Sequence, residues 1–211
     1  MKKETKKVVL ITTILTLLPI LVGLLLWNQL PDQMATHFDG AGEANGWSSK
    51  YAAVFGLPLF VAAVNAIVVI CTEKDPKRAA YPKKMMKLLY AICPVVSWVC
   101  AAAVYGYAIQ VDTSHMTQWL MVFAGVLFVV IGNYLPKVKQ NLFLGIKLPW
   151  TYADEENWNK THRMTGKLWV AGGLILVINA FLQIQGVDIT VMILMAVVPL
   201  IYSYLYSRRL H

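Results

Sequence analysis

Long apolar runs separated by short polar segments dominate this chain. Six runs lie at about 8–30, 51–71, 88–109, 118–135, 168–184 and 189–206, and none contains Asp, Glu, Lys or Arg. A helix needs about 20 apolar residues to cross roughly 30 Å of hydrocarbon. The pattern therefore predicts an all-α, polytopic membrane protein with six transmembrane helices in a single domain, 1–211.

Composition agrees with this interpretation, because 58% of the residues are hydrophobic and only 14% are charged, which excludes an ordinary soluble domain. The first run follows "MKKETKK" and is longer than the apolar core of a signal peptide, and no Ala-x-Ala cleavage site follows it. We therefore expect a retained first helix.

The basic residues define a topology. All Lys and Arg residues except Lys50 lie in the N-terminal segment, segment 72–87, segment 136–167 or the C-terminal tail. Loops rich in Lys and Arg stay in the cytoplasm. Both termini and loops 72–87 and 136–167 are therefore predicted to be cytoplasmic, with 31–50 outside. The net charge of +8 then reflects topology and contact with anionic membrane lipid, and no direct nucleic-acid binding is predicted.

The membrane runs carry Thr, Asn, Ser and Pro but no ionisable group at the bilayer midplane, where coupled transporters usually need one. Helix packing explains these residues, and a substrate path lined by them is the alternative. Cys93, Ser97 and Ala101 form a small-residue stripe that allows close helix approach. We expect the stripe to meet a helix of the same chain, with a homo-oligomer as the alternative.

The outer segment 31–50 is predicted to be a short, turn-rich extracellular loop. Its turn dipeptides are Asp39-Gly40 and Asn45-Gly46, and Ser48 or Ser49 is expected to cap the second membrane helix. Turn roles, recognition of an external ligand and a metal site are the open alternatives, although the spacings match no established metal-ligand pattern. The candidate sensing residues are His37, Asp39, Glu43, Asn45 and Gly46.

The polar segment 145–167 predicts a short amphipathic helix at the cytoplasmic membrane surface. Thr151-x-x-Asp154 resembles a capping box, and helical spacing puts one set of side chains on a single face up to about Gly166. This set is Trp158, Thr161, His162 and Thr165. Trp150 and Trp158 are expected to anchor the helix among lipid headgroups, so that lipid or a protein partner reads this face.

An enzyme would need a nucleophile, a metal or an oxyanion donor set beside His162, and the sequence around Asp154 and Glu155 supplies none of these. No catalytic residue and no cofactor are therefore predicted.

Three segments resemble one known family. "IGNYLPKVKQNLFLGIKLPWTYADEENWNKTHRMTGK", "LPDQMATHFDGAGEANGWSSK" and "DPKRAAYPKKMMKLLY" are similar to the SdpI family of bacterial toxin-immunity membrane proteins. The chain departs from the family pattern where it has Lys147-Leu148 in place of Arg-Thr, and His-Phe-Asp in place of His-Trp-Asn. Lys147 is nevertheless kept among the candidate residues of the cytoplasmic motif. The matching motif residues are Asn133, Pro136, Asn141, Gly145, Pro149, Trp150, Trp158, Thr161, His162 and Gly166.

The resemblance implies a non-enzymatic role in the bacterial inner membrane. Such proteins protect the cell from a secreted, membrane-active peptide toxin, and some also sequester a cytoplasmic repressor. The implied partners are membrane lipid, a peptide toxin and a cytoplasmic repressor protein. A small transporter or a lipid-handling protein remains the alternative function.

Overall fold

The computed structural model describes residues 3–39, 43–78, 81–111 and 115–209. Within these residues six helices are long and apolar enough to span a membrane, which confirms the predicted helical, multi-pass architecture. The chain forms two compact units, Met1–Lys74 with Lys83–Thr117, and Asp75–Pro82 with Gln118–His211.

The first unit contains three membrane helices, α1 (Lys3–Leu25), α2 (Leu57–Lys74) and α3 (Lys83–Ala108), and a two-stranded antiparallel hairpin, β1 (Gln33–Phe38) and β2 (Ala44–Ser49). A π-helical turn, Ala52–Gly56, leads into α2. The loop predicted as turn-rich is thus largely a hairpin, and it adds a small sheet to the fold predicted as all-α.

Polar side chains join the helices of the first unit. Asn65 on α2 donates through Nδ2 to Thr12 Oγ1 on α1 at 2.8 Å, and Ser97 on α3 donates to the Thr16 carbonyl of α1 at 2.8 Å. The predicted contact of the small-residue stripe with a helix of the same chain is confirmed at Ser97.

Proline explains another contact in this unit. Because Pro19 has no N–H, it leaves the carbonyl of Leu15 without its helical donor, and the Trp98 indole N–H of α3 donates to that carbonyl at 3.2 Å. The Leu15 carbonyl, which lacks its helical donor, therefore joins α1 to α3.

The hairpin rests on the end of α3 that leads to Val111. Met34 is fully buried with Leu30 against Val104 and Tyr105. Phe38 packs edge-on against the Tyr107 ring, with ring centroids 5.1 Å apart. The segment predicted as a turn-rich loop is thus a hairpin that packs on α3 through apolar contacts.

Lys50 closes the corner between α1 and the hairpin. Its ammonium group donates to the Trp27 carbonyl at 3.2 Å, lies over the Trp27 ring and pairs with Asp32 at 3.5 Å. The predicted serine cap is also present, since Ser49 Oγ accepts from the Ala52 N–H at 3.3 Å.

The second unit contains α4 (Met116–Tyr134), a 3₁₀ turn (Leu135–Lys137), the short α5 (Pro149–Ala153), α6 (Glu155–Leu182) and α7 (Val187–Ser207). The backbones of α4 and α6 approach closely at paired glycines. A Cβ on Gly125 or Gly173 would meet the carbonyl oxygen of the other, and Gly132 and Gly166 are paired in the same way. Such small-residue pairs allow the van der Waals packing that holds membrane helices together.

A second proline-freed carbonyl lies between α6 and α7. Pro199 leaves the Met195 carbonyl without its helical donor, and the Trp169 indole N–H of α6 donates to that carbonyl at 3.0 Å. Near the turn that joins these two helices, Asn179 of α6 donates to the Asp188 carboxylate in the first turn of α7 at 2.9 Å.

The largest correction to the predicted elements concerns α6. It runs continuously over Glu155–Leu182, so the predicted separation of a surface helix ending near Gly166 from a membrane helix over 168–184 is wrong. Polar residues do not interrupt a helix by themselves. On the inner side, Asn157, Thr161 and His162 bond to protein groups, whereas the buried Thr165 Oγ1 has no hydrogen-bond partner among the described residues. The polar residues on the other side, including Lys160, are exposed.

The other predicted helices shift by a few residues. The first begins at Lys3 and ends at Leu25, where 8–30 was predicted, and the third begins at Lys83. The apolar stem of a Lys side chain can lie along a helix end while its ammonium group reaches water. A helix can therefore begin at a Lys residue, and the first charged residue does not mark where the helix starts.

Candidate functional sites

The first candidate site is the hairpin of the first unit. The His37 ring lies over Gly46, where a Cβ would overlap the His37 Cβ, and His37 Nδ1 is 2.5 Å from Asn45 Oδ1. Asn45 and Gly46 lie within β2, so their prediction as a turn dipeptide is wrong. Their role is to seat the His37 side chain on the hairpin.

The hairpin tip is held by Asp39. Its carboxylate accepts from the Glu43 N–H at 2.9 Å, and its own N–H donates to the Glu43 carbonyl at 2.9 Å. Gly40 of the predicted Asp39-Gly40 turn lies outside the described residues. Across the described part of the chain, no three His, Cys, Asp or Glu residues lie close enough to hold a metal ion. The geometry at Asp39 and Glu43 is that of a hairpin tip.

The second candidate site is the loop that joins α4 to α5, together with the first turns of α6. Asn141 is fully buried, and its Oδ1 accepts from the N–H groups of Phe143 and Leu144. Its Nδ2 donates to the carbonyls of Lys139 and Leu144. One side chain thus organises a loop that has no regular secondary structure.

Trp158 and His162 of α6 form the floor beneath this loop. Their rings stack with centroids 4.1 Å apart, and the Trp158 indole donates to the Val138 carbonyl at 2.8 Å. His162 Nε2 accepts from the Ile146 N–H at 2.9 Å, and Nδ1 lies 2.8 Å from the Trp158 carbonyl. Nδ1 therefore carries the proton of a neutral ring, because Nε2 is an acceptor.

Gly145 makes this stack possible. It has φ +109°, and a Cβ there would overlap His162 Nε2 and crowd the Trp158 ring. An L-residue with a side chain is disfavoured on both counts, by backbone strain and by overlap. The sequence placed Gly145 in the motif, but its spacing from His162 gave no sign of the contact.

The predicted common face of α6 is confirmed, but its environment is not the predicted one. Trp158, Thr161, His162 and Thr165 are all at most 1% exposed. They face the protein interior, so the predicted headgroup anchoring by Trp158 is wrong, and this face is not open to lipid or a partner. Periodicity identifies a shared face but not what covers it.

The entry into α6 is also built differently from the prediction. Asp154 is the N-cap residue, with its carboxylate accepting from the Asn157 N–H. Thr151 belongs to α5, accepts from the Leu148 N–H and donates to the Ile146 carbonyl, so the predicted capping box at Thr151-x-x-Asp154 is wrong.

Trp150 fastens the helix α5 to α7. Pro149 begins α5, where its missing N–H costs nothing. The Trp150 indole donates to Ser203 Oγ at 2.9 Å and packs edge-on against Tyr204. Trp150 is half-buried between protein groups.

The remaining motif residues lie at the margins of the site. Pro136 packs on Gly166, and Asn133 is exposed near the end of α4. Lys147 donates to the carbonyls of Leu142 and Phe143 at 3.0 and 3.2 Å. Leu142 and Phe143 are themselves 42% and 37% exposed, which leaves an apolar tip on this loop.

Sequence reasoning missed two residues that hold the site together. Asn157 is fully buried, donates to the Ser203 carbonyl at 3.0 Å and accepts from Thr161. Asp75 is 4% exposed and accepts from the Tyr81 hydroxyl and the Leu142 N–H. The four-residue spacing of Asn157 and Thr161 on a helix was a usable signal, whereas the pairing of Asp75 with a loop 67 residues away had none.

Burial and hydrogen bonding act in opposite directions on Asp75. Burial alone would raise the pKa of the carboxyl, but bonds from the Tyr81 hydroxyl and the N–H groups of Lys77 and Leu142 outweigh it, so the pKa of Asp75 lies below its usual value. The pKa of the Tyr81 phenol is raised by burial and by its bond to the same carboxylate. Asp75 is thus held as the charged acceptor of the loop.

Comparison with known proteins agrees with this division into a hairpin region and a loop region. Residues 137–207 match the SdpI/YfhL protein family, and residues 14–62 match a domain of unknown function, DUF1648. The chain is 22% identical over 216 residues to the Immunity protein SdpI of Bacillus subtilis (strain 168), which covers 96% of this chain and 97% of that protein. No solved structure matches.

The family match covers α5, α6, α7 and most of the loop that Asn141 organises, and the similarity to the relative extends through the hairpin as well. The resemblance predicted from the motifs is therefore confirmed, and the chain is a multi-pass membrane protein that is similar to the SdpI proteins.

Proposed function

We propose that this chain is an immunity protein of the bacterial cell membrane that protects its cell from a secreted, membrane-active peptide toxin. The observation that carries the proposal is the similarity over 96% of the chain to an immunity protein. The six apolar helices of the described residues suit a position in the membrane, which is where a membrane-active peptide acts.

The orientation follows from the basic residues. With both termini in the cytoplasm, the hairpin lies outside and the loop organised by Asn141 lies inside. The peptide then reaches the hairpin first.

A non-enzymatic mechanism is supported by the state of His162. Both of its ring nitrogens bond to backbone groups, and its side chain is 1% exposed. A general base must reach the proton it removes. In this arrangement His162 fastens the loop to α6.

Signalling to a cytoplasmic repressor is supported by one surface. Leu142 and Phe143 form an exposed apolar tip beside Lys147, and an exposed apolar group next to a cation suits a protein partner. Replacing Leu142 and Phe143 together with Ser is expected to abolish recruitment of such a repressor to membranes while protection of the cell persists. Unchanged recruitment would contradict this second role.

The transporter alternative gains less support. Asn65, Thr12 and Ser97, which were candidates for a polar path, are buried and bond to α1 or to each other. Groups paired in this way hold helices together.

The experiment is expression of the chain in a strain sensitive to a secreted peptide toxin, followed by counting of survivors. Survival above the empty-vector strain is the expected result. Survival equal to the empty vector, with the protein present in the membrane, would contradict the proposal. Solute uptake into liposomes that contain the purified protein would favour the transporter instead.

A further inference from the structure

A cleft of about 460 Å³ lies between the hairpin and the end of α3. Its walls include Gln33 and Ala35 of β1, Trp47 of β2, and Tyr107, Ala108 and Val111 from the end of α3. The volume lies within the range of roughly 300–1,000 Å³ that is usual for ligand sites. All of these residues belong to the first unit, and none of them belongs to the motif loop of the second unit.

Two exposed apolar side chains lie at the rim of the cleft, beside the exposed polar residues Gln33 and Gln110. Trp47 is 58% exposed and Val111 is 55% exposed, whereas Met34 and Ala35 behind them are buried. The buried Met34 and Ala35 hold the inner side of the cleft in place, and the exposed Trp47 and Val111 leave room for a bulky apolar side chain to enter from outside. Trp and Tyr are the residues on which binding energy most often concentrates.

The charge beside this rim is negative. Asp32 lies next to the cleft-lining Gln33 and its side chain is fully exposed. Lys50, the only basic residue of segment 31–50, donates to the Trp27 carbonyl and pairs with Asp32 at 3.5 Å, but its side chain is only 13% exposed, so the fully exposed Asp32 carboxylate keeps a face open to a second cation. Asp39 and Glu43 at the tip leave this segment with a net charge of −2. The exposed face of the Trp47 ring also attracts a cation.

We propose that this cleft binds a cationic amphipathic peptide, with one bulky apolar side chain between Trp47 and Val111 and a neighbouring Lys or Arg beside Asp32. This assignment rests on the proposed immunity function and names the place and chemistry of its outer partner. The tip residues His37 and Asn45, which bond to each other, then support the hairpin without contacting the peptide.

The test uses the full chain in nanodiscs of zwitterionic lipid and a fluorescein-labelled peptide of alternating Lys and Phe. Binding is measured by anisotropy, with empty nanodiscs subtracted. Trp47→Ala is expected to weaken binding about tenfold, the effect of losing one anchoring contact. Trp47→Phe keeps a ring and is expected to change binding less. Trp119→Ala, which removes an exposed Trp outside the cleft, is expected to leave binding unchanged.

The charge is tested at two positions. Asp32→Asn is expected to weaken binding more than Glu43→Gln, because both remove one negative charge but only Asp32 lies next in the chain to residues that line the cleft, Pro31 and Gln33. A peptide of alternating Glu and Phe is expected not to bind. Equal effects of Asp32→Asn and Glu43→Gln, or equal binding of the acidic peptide, would overturn the assignment of a cationic partner.

A block applied after folding removes any dependence on a variant's stability. Val111→Cys protein is purified, labelled with a bulky maleimide and compared with wild-type protein treated in the same way, since the chain has its own free cysteines. Loss of peptide binding in the labelled variant alone is expected. Undiminished binding would overturn the proposal. If the label displaces a lipid from the cleft and peptide binding does not change, the cleft is a lipid site and the proposal is overturned as well.

The outcomes separate this inference from the proposed function. Cells that carry Trp47→Ala and survive toxin as well as wild type would overturn the cleft as the site of recognition and leave immunity intact. Wild-type cells that gain no protection, although the cleft binds the peptide in nanodiscs, would contradict the immunity function instead.

Discussion

Asn141 makes four hydrogen bonds to the backbone of its own loop, and His162 accepts from the N–H of Ile146, two residues beyond the last of these partners. Buried polar groups are costly unless they are paired. These pairings explain why polar side chains cluster in an otherwise apolar chain. At this scale the motif residues hold one loop in one shape.

Gly145→Ala tests that account at its tightest point. The substitution forces a Cβ into a residue with φ +109° and against His162, and we expect a loss of about 2 kcal/mol or more of stability. Thermal unfolding in detergent measures it. Gly186→Ala is the matched control, because Gly186 has φ +81° but open space around it. Equal losses at both positions would show that overlap with His162 contributes nothing.

Asp75→Asn tests the buried carboxylate. The variant keeps the size of the side chain but loses the charged acceptor of Tyr81 and Leu142, and we expect a loss of about 1–3 kcal/mol at neutral pH. Because the pKa of Asp75 is lowered in the folded protein, its stabilisation is complete above the ordinary Asp pKa of about 3.9 and is lost as pH falls through the lower folded value.

The measurement is the unfolding temperature of wild type and Asp75→Asn between pH 7 and pH 3. The gap between them is expected to be constant down to about pH 4 and to shrink below it. Glu155→Gln, at an exposed position, controls for loss of a carboxylate elsewhere and is expected to have little effect. A gap that widens on acidification would contradict the assignment.

At the scale of elements, the close approach of α4 to α6 depends on glycines whose neighbours are backbone atoms. A Cβ on Gly173 would meet the carbonyl of Gly125, which cannot move without moving its helix. A Cβ on the adjacent Gly172 would meet the end of the flexible Met195 side chain. An added Cβ would therefore have to displace rigid backbone at Gly173 but only a flexible side chain at Gly172.

We expect Gly173→Ala to lower the unfolding temperature more than Gly172→Ala. Overpacking against rigid neighbours costs about 1–3 kcal/mol, which corresponds to several degrees in a protein of this size. Differential scanning fluorimetry on both variants in the same detergent gives the comparison. A larger effect at Gly172 would contradict the proposed backbone contact.

The same elements show what the sequence could and could not predict. Apolar runs revealed all six helices because the bilayer fixes the length of a spanning helix. The sequence also revealed the shared face of Trp158 and His162, since helical spacing is local. It did not reveal that Gly145 and Val138 cover that face, or that Met34 seats a hairpin on α3, because such contacts join distant segments and leave no periodic signal.

At the scale of the whole molecule, the basic residues predict an orientation that labelling can measure. Glu43→Cys and Glu155→Cys are made in a background without the native cysteines Cys71, Cys93 and Cys100. A membrane-impermeant maleimide is expected to label the first variant in intact cells and the second only after lysis, because Lys-rich and Arg-rich loops stay inside. Labelling of the Glu155→Cys variant in intact cells would reverse the orientation and place the hairpin inside.

The central claim is protection of the cell, and a dose–response curve tests it most directly. Sensitive cells that express the wild-type chain, Gly145→Ala or no chain are exposed to increasing amounts of a purified secreted peptide toxin, with membrane levels of the protein matched. The account predicts that wild type shifts the killing dose upward and that Gly145→Ala, with its loop displaced, shifts it less. Identical killing curves for wild type and the empty strain across secreted membrane-active peptides would contradict the account.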